Sequence, residues 1–310
     1  MKPDVLSIGS FPPATMAGLG DRFTLHHHAQ VPQALDPALA ARVRGLATEA
    51  NRGASRALIA LLPQLEVICV FGVGVDAVDL AAARERNIPV TNTPGVLGDE
   101  VADLAIGLML ASARQILFAD RFVRAGKWAH GPLPLGRSVG RKCMGVVGLG
   151  GIGRAIAERG AAFHMQVLYN GPRKKPEAPF EYVPDLLDLA RRSDYLMVAC
   201  TGGPTTRHLI DAAVIDALGP NGTLVNVARG SVVDEAALIA ALAAGRLGFA
   251  ALDVFENSPH IAPAFLTLPN VIVQPHQGSA TVETRTAIGQ LMLDNLAAWF
   301  ERRPLLTPVA

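Results

Sequence analysis

Six residues constrain this chain more than any others: Gly148-Leu149-Gly150-Gly151-Ile152-Gly153. They follow an apolar run over 143–147 and open a helical pattern over 154–163. A GxGxxG spacing alone says little, but between a strand and a helix it predicts a dinucleotide-binding βαβ unit. Gly148 permits the tight turn, Gly150 lets the main chain approach a pyrophosphate, and Gly153 lets the helix pack closely on the strand. The anion would meet free N–H groups and the positive end of the helix dipole.

The rest of the chain reads as the same kind of structure. Short apolar runs alternate with helical patterns, which predicts α/β architecture with parallel strands. Before the glycine motif, strands are predicted over 5–8, 23–26, 45–48, 67–71 and 90–92, with helices over 35–44 and 77–86 between them. A long helix is predicted over 99–126, then a loop rich in Gly and Pro. From 143 onward, six strands (143–147, 166–169, 195–199, 223–227, 248–253 and 271–274) suit a doubly wound dinucleotide domain. Asp234 and Gly245 supply start and stop signals for a helix between them. A last helix over 280–302 places Ile288, Leu291, Met292, Leu296 and Trp299 on one face.

Composition excludes several classes. Half of the 310 residues are hydrophobic and 18% are charged, so the chain can bury two sizeable cores. Lys and Arg total 28 against 27 Asp and Glu, which offers no global pull toward nucleic acid or anionic membrane. The apolar run over 5–8 is too short for an export signal, and no stretch approaches the roughly 18 apolar residues of a membrane span. The cysteines Cys69, Cys143 and Cys200 are far apart and show no metal or disulfide spacing. These features predict a cytoplasmic protein with free thiols and no metal. His26-His27-His28 read as a polar strand end, since no carboxylate or cysteine stands beside them in the sequence to complete a metal site.

Cofactor choice is read at the end of the second strand of the dinucleotide unit, where an acidic residue would accept the ribose 2′-hydroxyl of NAD. Here the sequence is Tyr169-Asn170-Gly171-Pro172-Arg173-Lys174-Lys175. Asn170 replaces the acid, and Arg173 with Lys174 would attract a 2′-phosphate, to which a guanidinium donates paired hydrogen bonds. NADP(H) is therefore expected over NAD(H). Further downstream, three predicted strands end in polar residues: Arg229 in 225–230, Asp253 in 252–255 and His276 in 274–279. In doubly wound sheets ligands bind outside such carboxyl ends, so Cys200, Thr201, Val227 and Ala228, at or just beyond two strand ends, are also expected near the cofactor.

On these motifs the chain resembles the D-isomer-specific 2-hydroxyacid dehydrogenase family, and within it the NADPH-preferring reductases of glyoxylate, hydroxypyruvate and related 2-keto acids. The likeness runs through 67–76, Thr91-Asn92-Thr93-Pro94-Gly95, the glycine motif, 226–234, 252–255 and 275–281. It implies two Rossmann-like or flavodoxin-like doubly wound domains with a cleft between them. One would be a substrate-binding domain of residues 1–97 plus 281–310, the other a dinucleotide-binding domain of residues 98–280. It also implies a homodimer, with the Trp128 loop near the contact. Residue by residue, it implies that the Val73 and Gly74 N–H groups hold a substrate carboxylate and that Arg229 clamps the carboxylate and polarises the carbonyl. His276 would donate the proton, Asp253 would orient the nicotinamide and Gly278 would lie beside the cofactor. The chemistry suits these residue types: Arg stays charged and can only clamp, whereas His gives and recovers a proton near neutrality.

One position departs from the family. A glutamate is usual five residues after Asp253, and here that residue is Ser258. A serine can orient a ring nitrogen but supplies no charge to raise the histidine pKa. Glu256, two residues earlier, is the other candidate partner. A bulkier substrate of phenylpyruvate or 2-ketogluconate type, or a non-catalytic cofactor sensor, are the alternative readings.

Overall fold

Strands buried on both faces need unbroken apolar runs, and the computed structural model, which describes residues 2–309, builds the interiors of two parallel sheets from them, with polar strands at one edge of each. The first contains β1 (Asp4–Ile8), β2 (Thr24–His28), β3 (Val43–Glu49), β4 (Val67–Phe71) and β5 (Val90–Thr91), ordered β2-β1-β3-β4-β5. This is the flavodoxin-like order. Its connecting helices are α1 (Pro13–Arg22), α2 (Pro37–Ala40), α3 (Arg56–Leu61) and α4 (Leu80–Glu85). Asp36, Ser55 and Asp79 cap the last three by accepting the N–H of Leu39, Leu58 and Ala82.

Next come α5 (Gly98–Ala113) and α6 (Ile116–Arg124). The second sheet contains β6 (Cys143–Val147), β7 (Gln166–Asn170), β8 (Glu181–Tyr182), β9 (Tyr195–Val198), β10 (Thr223–Asn226), β11 (Phe249–Leu252) and β12 (Val271–Val273). Its order is β12-β11-β10-β9-β6-β7-β8, so the winding reverses between β6 and β9. The helices are α7 (Gly151–Ala162), α8 (Leu186–Arg192), α9 (Ala212–Leu218) and α10 (Glu235–Ala243). Asp234 caps α10, as its sequence predicts. Finally α11 (Val282–Phe300), capped by Thr281, buries Ile288, Met292 and Leu296. It lies tightly against α1, since a Cβ on Gly289 would sit 2.0 Å from Thr15 Oγ1. The chain divides into two units, Met1–Leu97 with Ala280–Ala310, and Gly98–Ser279.

Three elements differ from their sequence-based expectation. The helix expected over 35–44 is only α2, because Val43 is drawn into register with Asp4 on β1 and buried there. The single helix expected over 99–126 is two helices bent by 56°. At the break Gln115 takes φ 53°, and the Arg137 N–H donates to the Ala113 carbonyl at 2.7 Å. A later loop thus takes the carbonyl that a continuing helix would have used. The two-residue strand β8 has no periodic signal and was not expected.

Among the described residues no single helix is long and apolar enough to cross a membrane; α5 and α6 pass that test only as a bent pair. Strand pairing brings Asp4 Oδ1 within 2.7 Å of His26 Nε2, but among the described residues no group of three or more His, Cys, Asp or Glu side chains could hold a metal ion. His27 Nδ1 lies 3.0 Å from Ser7 Oγ on the other face of β2.

Candidate active site

The glycine motif divides into two kinds of glycine. Gly148 has φ 92°, and a Cβ there would lie 2.5 Å from Cys200 Cα; on Gly153 it would lie 1.9 Å from the Gly148 carbonyl oxygen. These two are glycine because the protein packs against itself. Gly150 and Gly151, by contrast, have nothing within 4 Å of an added Cβ. Their exposed main chain opens the twelve-residue α7 at the point where the sheet order reverses. Such an open, Cβ-free helix start fits a pyrophosphate. Leu149 is buried and Ile152 is half-buried. Cys200, just past the end of β9, packs against Gly148, and burial pushes its thiol up to about 11. Thr201 is exposed, and its carbonyl accepts the Thr206 hydroxyl at 2.7 Å.

The loop after β7 is pre-formed by side chains that sequence reasoning did not single out. The buried Tyr169 hydroxyl accepts the Lys175 N–H at 2.7 Å. Tyr182, on β8, donates its hydroxyl to the Gly171 carbonyl at 3.0 Å. Asn170 ends β7 with its amide nitrogen donating to the Val183 and Pro184 carbonyls at 2.8 and 3.0 Å. No carboxylate occupies that position, while Arg173 and Lys174 are exposed on the loop. The only sequence cue for the two tyrosines would have been their own polar ends in an otherwise apolar setting.

At the same carboxyl edge, β10, β11 and β12 are adjacent and in register, Asn226 opposite Leu252 and Leu252 opposite Val273. Arg229, Asp253 and His276 follow them. The Arg229 turn is shaped by Asn226, whose Oδ1 accepts the Ala228 N–H and whose Nδ2 donates to the Arg229 carbonyl, both at 3.0 Å. This side-chain turn is typical of Asn, and Asn226 is a positioning residue the sequence reading passed over. Val227 and Ala228 are buried within it. Gly230 lies on the 255–256 main chain so closely that a Cβ would be 1.9 Å from the Phe255 carbonyl carbon.

His276 is exposed and has φ 58°, a left-handed conformation uncommon outside glycine. Asp253 holds it there. The Asp253 carbonyl accepts the His276 N–H at 2.9 Å, and its carboxylate accepts the N–H of Gln277 at 2.6 Å and of Gly278 at 2.8 Å. Burial pushes this carboxyl up to about 6, against the downward pull of those two N–H groups. Its oxygens are thus engaged with the turn that carries His276.

Ser258 is exposed. Its hydroxyl donates to the Phe255 carbonyl at 2.9 Å and accepts the Phe255 N–H at 3.2 Å. Its single proton is spent on that local turn. The Glu256 carboxylate, the other candidate partner, binds His208 Nε2 at 3.0 Å and Arg207 at 2.6 Å. These hydrogen bonds hold it below the usual carboxylate range.

In the first unit, β4 runs into Gly72-Val73-Gly74. Gly72 has φ 136°, and its N–H and carbonyl pair with Thr93 at 3.1 and 2.9 Å. Asn92 Nδ2 donates to the Val73 carbonyl at 2.8 Å. The loop is pinned from one side, and among the described residues no main-chain carbonyl accepts the Val73 or Gly74 N–H. Consecutive amides of this kind suit an anion.

The profile of the family described as D-isomer specific 2-hydroxyacid dehydrogenase, NAD binding domain, matches residues 106–278. The 2-ketogluconate reductase of Gluconobacter oxydans is 48% identical over 308 residues, 99% of each chain. Glyoxylate/hydroxypyruvate reductase A of Arabidopsis thaliana is 48% identical over 267 residues, 86% of this chain and 85% of the relative. Among solved structures, the NADPH-dependent glyoxylate/hydroxypyruvate reductase of Sinorhizobium meliloti, in complex with NADP and malonate, superposes with a TM-score of 0.95. It is 42% identical, and the match covers 100% of this chain and 97% of that one.

The raised Asp253 pKa predicts a specific pH signature. A carboxyl that titrates at 3.8 when unfolded and near 6 when folded leaves the folded state holding more protons between those values. Stability then falls as pH rises through that window. In urea unfolding, the advantage of wild type over Asp253→Asn should grow as pH falls from about 6 to about 4. A pH-independent difference would contradict this account.

Proposed function

Since this chain belongs to the D-isomer specific 2-hydroxyacid dehydrogenase family, we propose that it reduces small 2-keto acids to D-2-hydroxy acids, using NADPH in preference to NADH. One observation carries the reading. Three adjacent strands deliver Arg229, Asp253 and His276 to a single sheet edge, and the buried Asp253 ties down the turn that presents the histidine. Preference for the 2′-phosphorylated cofactor is supported by Asn170 in place of an acid and by Arg173 and Lys174 on the loop beside it.

When bound, the nicotinamide cofactor supplies a hydride to the carbonyl carbon. The chain's residues do the rest. Arg229, charged at any working pH, pairs with the substrate carboxylate and draws electron density toward the carbonyl oxygen. His276 then gives an imidazolium N–H proton to the oxygen as it becomes a hydroxyl, and recovers one from solvent. In the first unit, the Val73 and Gly74 amides suit a carboxylate as well. Substrates of the glyoxylate and hydroxypyruvate type are the first reading. A sugar-derived 2-keto acid is the second, favoured by the relative that matches 99% of the chain, a 2-ketogluconate reductase.

We also infer a homodimer. Helix α6 buries none of its residues, and Ile116, Phe118 and Val123 are about half exposed, with Trp128 69% exposed just beyond. An apolar patch of this kind on a water-soluble surface marks an interaction site. Sedimentation of the wild type should give twice the chain mass, and Phe118→Glu should shift it toward the monomer. A monomeric wild type would end the proposal.

Three kinetic predictions follow from this reading. Loss of nicotinamide absorbance with glyoxylate, hydroxypyruvate, pyruvate, phenylpyruvate and 2-ketogluconate should show turnover, with kcat/KM higher for NADPH than for NADH. His276→Gln should lower kcat by about 10²–10⁴-fold while cofactor still binds. Cofactor binding without turnover of any of the five would favour the sensor reading instead. Ser258→Glu should move the alkaline fall of the reduction profile to higher pH, because a carboxylate favours the protonated imidazole. An unmoved profile would remove position 258 from the neighbourhood of the proton donor.

A further inference from the structure

The Arg154–Glu177 pair lies outside the roles assigned so far. In α7, Gly153, Ile156, Ala157 and Gly160 form the buried stripe. Arg159 leaves that stripe on one flank, reaching Asp103 at 2.6 Å and Asp99 at 3.0 Å on α5. Arg154 precedes it by five residues, which at 3.6 residues per turn sets the two about 140° apart around the axis. It therefore emerges on the opposite flank, away from α5. There its guanidinium meets Glu177 Oε1 at 3.2 Å. Glu177 lies four residues beyond Arg173, on the loop that Tyr169 and Tyr182 pre-form. Arg154 thus stands in the first turn of the helix whose open start fits the pyrophosphate, with its charged end at the cofactor-choosing loop.

We propose that Arg154 is a specificity-determining residue for the cofactor, binding the adenosine 2′-phosphate, and that Glu177 is the placeholder it releases. The inference rests on the NADPH reading given above and names a residue for it. Arg154 and Glu177 side chains are 35% and 61% exposed, so their pairing is screened by water and readily exchanged. A phosphate monoester carries nearly twice the charge of a carboxylate and three acceptor oxygens. A guanidinium meets it with two parallel donors. The loop adds Arg173, Lys174 and Lys175, three cations within four residues of Glu177 in the sequence. Of the acids nearby in sequence, Glu181 is bound to Arg192 at 2.7 Å, and Glu158 follows Arg154 by one turn of α7. With Glu177 on Arg154, the guanidinium is kept extended toward the loop until a stronger anion arrives.

A simple loop staple would have the same geometry, and the two roles predict opposite behaviour of the partners. The test is calorimetric binding of adenosine 2′,5′-bisphosphate and of adenosine 5′-monophosphate to the full-length wild type, Arg154→Gln, Arg154→Lys and Glu177→Gln. Melting curves serve to confirm that each variant is folded. The wild type should prefer the bisphosphate. Arg154→Gln should lose about tenfold or more of that preference, the scale of one charge-assisted contact, and Arg154→Lys should fall between. Glu177→Gln should keep the preference or increase it. If Glu177→Gln loses preference together with Arg154→Gln, the pair is a staple and the proposal is overturned. It is overturned equally if Arg154→Gln binds as wild type does. A wild type indifferent to the 2′-phosphate would instead overturn the NADPH reading itself, before either variant is considered.

Discussion

The second unit is organised around the carbonyl oxygen of Gly148. Gly153 sits so close to it that a single methyl on Gly153 would overlap it, 1.9 Å away. That approach seats α7 on β6 and sets its rotation about its own axis. Rotation decides which flank faces α5, where Arg159 finds two aspartates, and which faces the β7 loop, where Arg154 finds Glu177. It also aims the main chain of Gly150 and Gly151 into open space. A helix start with unpaired N–H groups turned outward is an anion site by its own electrostatics. The cofactor end of the proposed site follows from one steric contact.

The substrate end depends on a different device. Parallel strands in register end side by side, so chemistry placed just beyond β10, β11 and β12 converges without long connections. Convergence alone does not aim a side chain. Asn226 folds the Arg229 turn with two hydrogen bonds, and Asp253 folds the His276 turn with three, one from its carbonyl and two from its carboxylate. The cost is a buried carboxyl whose pKa is raised and a histidine in a left-handed conformation. Uncommon main-chain conformations persist where the surroundings over-determine them, and here the surroundings are the three bonds to Asp253.

Much of the fold was legible in the residues. Runs such as 67–71 and 143–147 are strands in the structure at the same boundaries, because a strand buried on both faces has no polar alternative. Asp234 caps its helix and the glycine motif sits where its spacing placed it. The misreadings share a cause. The helical pattern over 99–126 is locally continuous, yet Ala113 bonds to Arg137, far along the chain, and the helix breaks. Val43 reads as helix until β1 claims it. No local periodicity carries such information.

The site shows the same division. Sequence alone determined which residues carry charge, which can titrate and which lack a Cβ. Arg229, His276, the missing acid at Asn170 and the serine at 258 were readable for that reason, since side-chain chemistry does not depend on folding. Tertiary structure decided what each polar group spends its hydrogen bonds on. Asp253 is engaged by two main-chain amides, Ser258 by Phe255, Glu256 by His208 and Arg207, and Arg154 by Glu177. A side chain's chemistry is fixed by its atoms, but its partners are set by the long-range packing that brings distant backbone within three ångströms.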